Sequence, residues 1–230
     1  MKSLGEFLKG MKPPAFDCVC PACGTPSTRP RTCLACDAAQ QAERKARRAT
    51  AASMPIRYAW AFALDAPELF RRADLAAVEQ ARALDLTRLD RATLLGPATA
   101  GKTSLAVAIA NTWAIAHARP AVFVAAVDIG VARQQHRLGE SDPHIIRQAM
   151  GAPLIVLDDI GQEVELGIPA VAHVILHRYD GAKPTIATSG LTVEQLVARY
   201  GAGVARRLIE TAGGAVVLKL RSRGERAASR

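Results

Sequence analysis

A glycine motif between a strand pattern and a helix pattern is the feature that most limits how this chain can fold. Residues 92–104 read A-T-L-L-G-P-A-T-A-G-K-T-S, in which Gly96, Gly101, Lys102 and Thr103 have the spacing G-x-x-x-x-G-K-[ST]. The apolar run before the motif predicts a buried strand, and the small and apolar residues after it predict a helix. Such a loop turns its backbone amides inward at a helix N-terminus, where the helix dipole favours an anion. The sequence therefore predicts an α/β fold with a phosphate-binding loop (P-loop).

We expect the P-loop to bind ATP. Lys102 would contact the β- and γ-phosphates, and the hydroxyl group of Thr103 would be a ligand of Mg²⁺. The predicted nucleotide-binding residues are consecutive in the sequence: Gly96, Pro97, Ala98, Thr99, Ala100, Gly101, Lys102, Thr103 and Ser104.

Two adjacent carboxylates follow a second apolar strand pattern. Residues 153–161 read P-L-I-V-L-D-D-I-G, so one strand delivers both Asp158 and Asp159. We expect Asp158 to hold Mg²⁺ through water and Asp159 to orient or deprotonate the attacking water. The pair predicts the acidic half of an ATP-hydrolysing site.

The patterns that remain predict five parallel strands with crossing helices, which together form a three-layer α/β core. The further predicted strands cover 121–129, 184–190 and 215–220, and the predicted helices cover 130–139, 143–150, 168–179, 192–200 and 203–211. The strand that ends in Asp158 is third in the chain, and we expect it to lie beside the P-loop strand in the sheet. Trp60, Phe62 and Phe70 are interpreted as packing residues.

All five cysteines lie in one short stretch, with Cys20 and Cys23 forming one C-x2-C pair and Cys33 and Cys36 forming another. Two such pairs can place four thiolates around a tetrahedral zinc ion. The polar loop between the pairs has nothing with which to build a core, so a structural zinc site is predicted. Two alternatives remain, a pair of disulfides or a redox pair. Cys18 could also replace Cys20 as a ligand.

Composition excludes some classes and leaves others open. The chain has 230 residues, half of them hydrophobic, but no apolar run approaches the ~20 residues of a membrane span, and no signal-peptide pattern is present. We therefore expect a cytoplasmic protein. The net charge of +9 is concentrated at the two ends, since 61–220 is neutral overall. The helical stretch 37–53 could follow a phosphate backbone or serve as a solvated linker; its cations are Arg44, Lys45, Arg47 and Arg48.

Three segments resemble one family of ATPases. They read L-I-V-L-D-D-I-G, P-T-I-A-T-S-G-L-T-V-E-Q-L and R-Y-G-A-G-V-A-R-R-L, and they resemble the AAA+ helicase loaders of the DnaC type. The related IstB-type transposition-helper ATPases share much of this pattern. The resemblance covers 55–220 and implies an AAA+ core that lacks a C-terminal helical lid. It also implies an ATP-dependent oligomer, a replicative helicase as partner, and single-stranded DNA as ligand.

The resemblance implies further site residues, and the chain departs from the family pattern at some of them. The resembled ATPases usually have Glu where this chain has Asp159, and the shorter side chain predicts slow hydrolysis. Their fourth strand ends in a polar sensor, where this chain has Gly190, so Ser189 is the predicted substitute. Their arginine that acts on the neighbouring subunit's ATP matches Arg207, with Arg206 as the fallback.

The predicted domain organisation has four parts: a zinc-binding module over 1–40, a basic helical linker over 41–54, an ATPase core over 55–220 and a basic, unstructured tail over 221–230. The function expected from the resemblance is the ATP-dependent loading of a hexameric replicative helicase onto single-stranded DNA. Two alternatives are a transposition helper that acts on duplex DNA and a nucleotide-gated adaptor with little hydrolysis.

Overall fold

The computed structural model describes residues 18–27, 32–137, 139–164, 169–211 and 213–222. The chain divides into two compact units, Met1–Ala42 and Glu43–Arg230. Among the helices of these described ranges, none is long and apolar enough to cross a membrane.

The N-terminal unit contains a short antiparallel hairpin. Strand β1, Cys18–Val19, pairs with β2, Pro26–Ser27, and the connecting turn includes Gly24 with a φ of 71°. Helix α1, Leu34–Ser53, starts directly after Cys33. The predicted boundary between a zinc module and a linker at residue 40 therefore falls inside one helix.

The second unit is built on a five-stranded, wholly parallel sheet, as the sequence predicts. Its strands are β3 Arg91–Leu95, β4 Ala121–Ala125, β5 Leu154–Asp158, β6 Thr185–Ser189 and β7 Ala215–Lys219. Their order across the sheet is β4-β5-β6-β3-β7. Buried apolar clusters cover both faces, which gives the three layers expected of this fold class.

Helices pack on each side of the sheet. They are α2 Pro67–Arg72, α3 Leu75–Arg82, α4 Lys102–His117, α5 Ala126–Gln134, α6 His144–Gly151, α7 Ala170–Asp180, α8 Val193–Tyr200 and α9 Ala202–Ile209, with 3-10 turns at Ile56–Ala61 and Leu86–Arg88. Helix α4 is apolar around most of its circumference, and most of it is buried. Its first residue is Lys102 of the P-loop motif, so the loop is continuous with a deeply buried helix of the core.

The predicted position of the β5 strand in the sheet is wrong. The strand that ends in Asp158 does not lie beside the P-loop strand β3, because β6 lies between them and pairs with both. Spacing along the chain fixes the order of strands in sequence but leaves their order in the sheet open. The inserted strand carries Thr188, whose hydroxyl group bonds Asp158.

The predicted strand over 121–129 is too long. Strand β4 ends at Ala125, and the next residues form α5, which buries Ala126, Ile129 and Gly130 at helical spacing. A continuous apolar run is compatible with either a buried strand or a buried helix, so its pattern alone cannot place this boundary.

Strand β4 is an edge strand, and the C-terminal end of α1 covers its backbone. The hydroxyl group of Thr50 accepts a hydrogen bond from the Ala121 amide at 2.9 Å. The hydroxyl group of Ser53 donates to the Ala121 carbonyl at 3.1 Å and accepts from the Phe123 amide at 3.3 Å. Two side chains of the predicted linker thus satisfy edge groups that would otherwise be open to pairing.

The chain after β7 begins with an ordered contact. Asp74, the N-cap residue of α3, is buried and accepts a hydrogen bond from the Arg221 amide at 2.7 Å. The Arg221 side chain adds an ion pair with the same carboxylate at 3.2 Å. The expectation of an unstructured tail from residue 221 is therefore wrong for this residue, while 223–230 lie outside the described residues.

Candidate functional site

The P-loop connects β3 to α4 and requires its two glycines for different reasons. Gly101 has a φ of 94°, and a β-carbon there would lie 2.5 Å from the Cα atom of Ala73. A β-carbon on Gly96 would lie 2.3 Å from the Leu220 carbonyl oxygen. Close backbone packing on both sides therefore keeps the loop tight, so that its amides can face a phosphate.

Lys102 lies at the start of α4 and is only 7% exposed. Its Nζ atom donates a hydrogen bond to the Pro97 carbonyl oxygen at 2.9 Å, across the mouth of the P-loop. Burial lowers the pKa of Lys102, and the carboxylates of Asp159 and Asp158 oppose that shift. A phosphate in the loop would supply the full negative charge that this desolvated ammonium group lacks.

The predicted magnesium ligands lie together. The Thr103 hydroxyl group donates to Asp158 Oδ1 at 2.9 Å, and the Thr188 hydroxyl group donates to the same oxygen at 2.7 Å. Burial raises the pKa of Asp158, although these two hydrogen bonds act in the opposite direction. A hydroxyl oxygen beside a buried carboxylate is a donor set that suits Mg²⁺, so these residues fit the ion that the sequence predicts.

Asp159 projects into the open cleft. It is exposed, and its backbone is left-handed with a φ of 52°, a conformation that Asp tolerates better than most residues. Its amide donates to the Thr188 hydroxyl group at 2.9 Å, which fixes the backbone while leaving the carboxylate accessible. The side chain can therefore contact a water molecule beside a phosphate bound in the P-loop.

Ser189 lies away from the cleft, contrary to its predicted role as a sensor. The side chain has no exposed surface, its hydroxyl group donates to the Ile160 carbonyl oxygen at 2.8 Å, and it accepts from the Leu191 amide at 3.1 Å. Side chains alternate along a strand, so Thr188 points the opposite way and bonds the acidic pair. The family pattern alone could not identify Thr188, because the departure at Gly190 obscured the register.

A cleft of about 910 Å³ opens over the P-loop and Asp159. Its other wall comes from the 3-10 turn at 56–61, which contributes Arg57, Tyr58 and Trp60. Trp60 packs on the core as predicted, yet its ring also lines the cleft and lies 4.7 Å from the Arg72 guanidinium carbon. Sequence reasoning missed these residues, because nothing in M-P-I-R-Y specifies a contact with a loop some 40 residues away.

Arg207 lies at the end of the sheet where the strands begin, and the P-loop lies at the end where they finish. It lines a small pocket with Arg91 and Thr185, the first residues of β3 and β6, whereas the P-loop follows the last residue of β3. The five residues of β3 separate these two ends of the sheet by roughly 13 Å. Arg207 donates to the Gly203 carbonyl oxygen at 3.1 Å, and its guanidinium carbon lies 5.0 Å from the centroid of the Tyr179 ring. This placement leaves Arg207 away from the nucleotide site of its own chain.

Four cysteine sulfurs converge in the N-terminal unit. The Sγ atoms of Cys20, Cys23, Cys33 and Cys36 all lie within 4.8 Å of one another, and those of Cys23 and Cys33 are 3.7 Å apart. Four thiolates around zinc would be separated by about 3.8 Å, given Zn–S bonds of about 2.3 Å. Cys18 is turned to the Ser27 carbonyl oxygen instead, at 2.9 Å. The cluster fits a zinc ion, with Cys20 and not Cys18 in the set of four.

These features together define a class. The sheet is parallel, with the order β4-β5-β6-β3-β7, and the P-loop follows β3. The acidic pair lies at the end of β5, one strand away from β3. This arrangement is that of an ATP-binding AAA+ core. The chain belongs to the family of IstB-like ATP binding proteins, whose model matches residues 27–207.

Solved structures share this fold. A crystal structure of the DnaC helicase loader is 21% identical to this chain, with a TM-score of 0.55, covering 72% of this chain and 99% of that one. AMPPCP-bound DnaA from Aquifex aeolicus is 20% identical, with a TM-score of 0.50, covering 69% of this chain and 50% of that one. A crystal structure of a Streptococcus pyogenes serotype M3 protein is 17% identical, with a TM-score of 0.50, covering 73% of this chain and 90% of that one. Among curated protein sequences, none is significantly similar to the chain.

Proposed function

We propose that the protein is an ATPase that loads a hexameric replicative helicase onto single-stranded DNA. The observation that carries the proposal is a P-loop cleft lined by Lys102 and Thr103, with Thr103 bonded to the buried Asp158, in a fold shared with almost the whole of the DnaC helicase loader structure. The cysteine cluster lies in a separate N-terminal unit, which we expect to bind the helicase.

In this proposal, the P-loop amides bind the β-phosphate of ATP, and Lys102 exchanges the Pro97 carbonyl for the β- and γ-phosphates. Mg²⁺, held by Thr103 and Asp158, would neutralise charge on the phosphate oxygens. Asp159 accepts the hydrogen bond of the attacking water and takes its proton. The carboxylate of Asp is one methylene shorter than that of Glu, so we expect hydrolysis to be slow.

Hydrolysis also requires a neighbouring subunit in this proposal. Arg207 is remote from its own P-loop, so only a second copy can bring it to the γ-phosphate. A forked, permanently charged guanidinium group suits the charge that develops there. ATP would therefore stabilise side-by-side assembly, and its hydrolysis would release the neighbours.

Helix α1 provides a cationic face for DNA. Arg44, Lys45, Arg47 and Arg48 are all exposed, whereas Ala46 and Thr50 on the same helix are buried. The C-terminal end of the helix is anchored on β4, so these charges are displayed on a fixed scaffold. Contacts of this kind position a phosphate backbone but carry no sequence information.

The test is helicase loading onto a closed DNA circle that offers no free end. The full chain, a hexameric replicative helicase and ATP are mixed with circular single-stranded DNA that carries an annealed oligonucleotide, and oligonucleotide release is measured. We expect the chain to stimulate release at least tenfold, and Lys102→Ala to abolish the stimulation. Replacing the four cations of α1 by Ala should weaken DNA binding and make its salt dependence shallower.

Two outcomes would contradict the proposal. ATP-dependent assembly on duplex DNA without any effect on the helicase would favour the transposition helper, the second candidate, which the family match supports. Nucleotide binding with no turnover in the presence of DNA would favour a nucleotide-gated adaptor.

A further inference from the structure

A buried carboxylate outside the nucleotide cleft connects two parts of the ATPase core. The side chain of Glu163 has no exposed surface. Its Oε2 atom accepts a hydrogen bond from the Gly161 amide at 2.8 Å, and Oε1 accepts from the Arg199 Nε atom at 3.3 Å and from the Tyr200 hydroxyl group. Removing one partner of such a buried, hydrogen-bonded charge is strongly destabilising, and the three donors fix the position of the carboxylate.

One side of this cluster belongs to the loop that follows the acidic pair. Gly161 is two residues beyond Asp159, has a φ of 97°, and would place a β-carbon 2.4 Å from Leu191. The Gln162 amide donates to the Asp159 carbonyl oxygen at 3.2 Å, and Gln162 lines the nucleotide cleft. Glu163 therefore fixes the backbone of the segment that carries Asp159.

The other side of the cluster is formed by residues at the C-terminal end of α8. Arg199 and Tyr200 are its last two residues, and Arg199 also forms an ion pair with Glu163 at 3.2 Å. Burial raises the pKa of Tyr200, and Glu163 raises it further, so the hydroxyl group remains a donor. A single residue, Gly201, with a φ of 82°, then joins α8 to α9.

Helix α9 carries Arg207 and is held at its far end by the P-loop strand. The Thr93 hydroxyl group donates to the Leu208 carbonyl oxygen at 2.6 Å, and the Arg91 guanidinium group donates to the Glu210 carbonyl oxygen at 2.9 Å. The near end of α9 depends on the joint at Gly201, and thus on the contacts of Glu163 with the end of α8.

We propose that Glu163 is a positioning residue for ATP hydrolysis. It sets the α8–α9 joint relative to the loop of Asp159, and so sets the direction in which Arg207 is presented to the neighbouring subunit. The inference depends on the proposed function, because it assumes hydrolysis across a subunit interface. Glu163 does not line the nucleotide cleft, so its loss should spare ATP binding in the same chain.

The first test is the split between kcat and KM of the assembled ATPase. Glu163→Gln keeps the size of the side chain but removes its charge, and we expect kcat to fall about tenfold while KM and the nucleotide affinity of the single chain change less than twofold. Tyr200→Phe removes one hydrogen bond and should give an intermediate loss, which keeps the test decisive if the first variant fails to fold. Glu194→Gln is the matched control, because Glu194 is an exposed glutamate on α8, the helix that carries Tyr200.

The second test locates the defect in cis or in trans. Mixing Glu163→Gln subunits with Lys102→Ala subunits should restore part of the turnover, because the Lys102→Ala neighbour presents a correctly held Arg207 to an intact P-loop. An unchanged kcat, or a loss that mixing does not restore, would overturn the positioning role. Arg207→Ala distinguishes a failure of the positioning role from a failure of the proposed function. If this variant also leaves kcat unchanged, the interfacial mechanism of the proposed function is wrong.

Discussion

At the scale of single residues, burial perturbs the two charged groups of the nucleotide site in opposite directions. Burial shifts the pKa of Lys102 downward and that of Asp158 upward, so both groups favour their neutral forms more than they would in water. Each retains hydrogen bonds to neighbouring groups, but neither has an opposite charge in direct contact in the described residues. Phosphate would place a negative charge beside Lys102, and Mg²⁺ would place a positive charge beside Asp158, so the burial of these two groups favours binding of both ligands.

This argument predicts that Asp158→Asn separates stability from function. Both hydroxyl groups bond Oδ1, which Asn retains, so the free energy of unfolding of the nucleotide-free protein at pH 7 should stay equal or rise by up to ~1 kcal/mol. Mg²⁺-dependent nucleotide affinity should fall at least tenfold. Urea unfolding and nucleotide titration with and without Mg²⁺ measure the two effects.

The sign of the pH dependence follows from the raised pKa of Asp158. The cost of the buried charge is present above the folded pKa and disappears as the pH falls through it, so any stability advantage of the Asn variant should shrink on acidification. Asp159→Asn is the matched control. Its exposed side chain should leave stability unchanged and reduce turnover without loss of Mg²⁺-dependent binding. A clear destabilisation by Asp158→Asn would contradict the argument.

At the scale of elements, the P-loop is braced by a helix start and by the end of the sheet. Ala73 packs against Gly101, and the next residue, Asp74, caps α3 by accepting from the Ala76 amide at 3.1 Å. The other carboxylate oxygen holds the backbone and side chain of Arg221, directly beyond the last strand. One buried side chain thus joins α3 to the segment that follows β7, beside the phosphate-binding loop.

We predict that Asp74→Asn lowers the free energy of unfolding by about 2 kcal/mol. Asn can still cap α3, but its amide group would face the donors of Arg221. Burial raises the pKa of Asp74, yet the hydrogen bonds from Arg221 and Ala76 leave it below the ordinary value. The stabilisation is therefore complete above the unfolded pKa and lost as the pH falls through the lower folded one. Urea unfolding between pH 7 and pH 2.5 should show the difference between variant and wild type shrinking below about pH 4.

Asp85 provides the matched control for this prediction. It caps the 3-10 turn at 86–88 through the Thr87 amide at 3.0 Å, but it is exposed and does not contact Arg221. Asp85→Asn should therefore cause a much smaller loss than Asp74→Asn. Equal losses would mean that the contact with Arg221 contributes nothing beyond the cap.

At the scale of the whole molecule, two units depend on different sources of stability. The ATPase core buries apolar clusters on both faces of its sheet. The described part of the N-terminal unit has only a hairpin with two residues in each strand, the start of α1 and a cysteine cluster. Within the cluster, the Cys33 amide lowers the pKa of Cys20 to about 6, while the neighbouring sulfurs raise that of Cys36 to about 12. Four thiolates so close together require a cation.

We predict about one zinc ion per chain in the purified protein. Cys20→Ser should lose the ion and expose the N-terminal unit to proteolysis, whereas Cys18→Ser, whose native thiol faces the Ser27 carbonyl oxygen, should retain it. Elemental analysis and limited proteolysis measure both effects. Equal zinc loss in the two variants would place Cys18 in the ligand set, and intact disulfides would contradict the metal site.

The sequence by itself determined the features whose parts lie within a few residues of one another. The P-loop, the pair Asp158–Asp159 and the C-x2-C spacings bring their groups together through local backbone geometry, so the motif is sufficient to identify them. Strand pattern also predicted the number and the parallel direction of the strands, because buried apolar runs alternate with helices along the core.

Only the tertiary structure decided which distant groups meet. The insertion of β6 between β5 and β3 brings Thr188 to Asp158, the 56–61 turn brings Arg57 to the cleft, and Glu163 reaches Arg199 across 36 residues of sequence. These contacts follow from how helices and strands pack around two buried clusters, and packing energy depends on the whole arrangement of side chains. No spacing along the chain encodes such contacts, so the residues that position the chemistry became visible only in the folded protein.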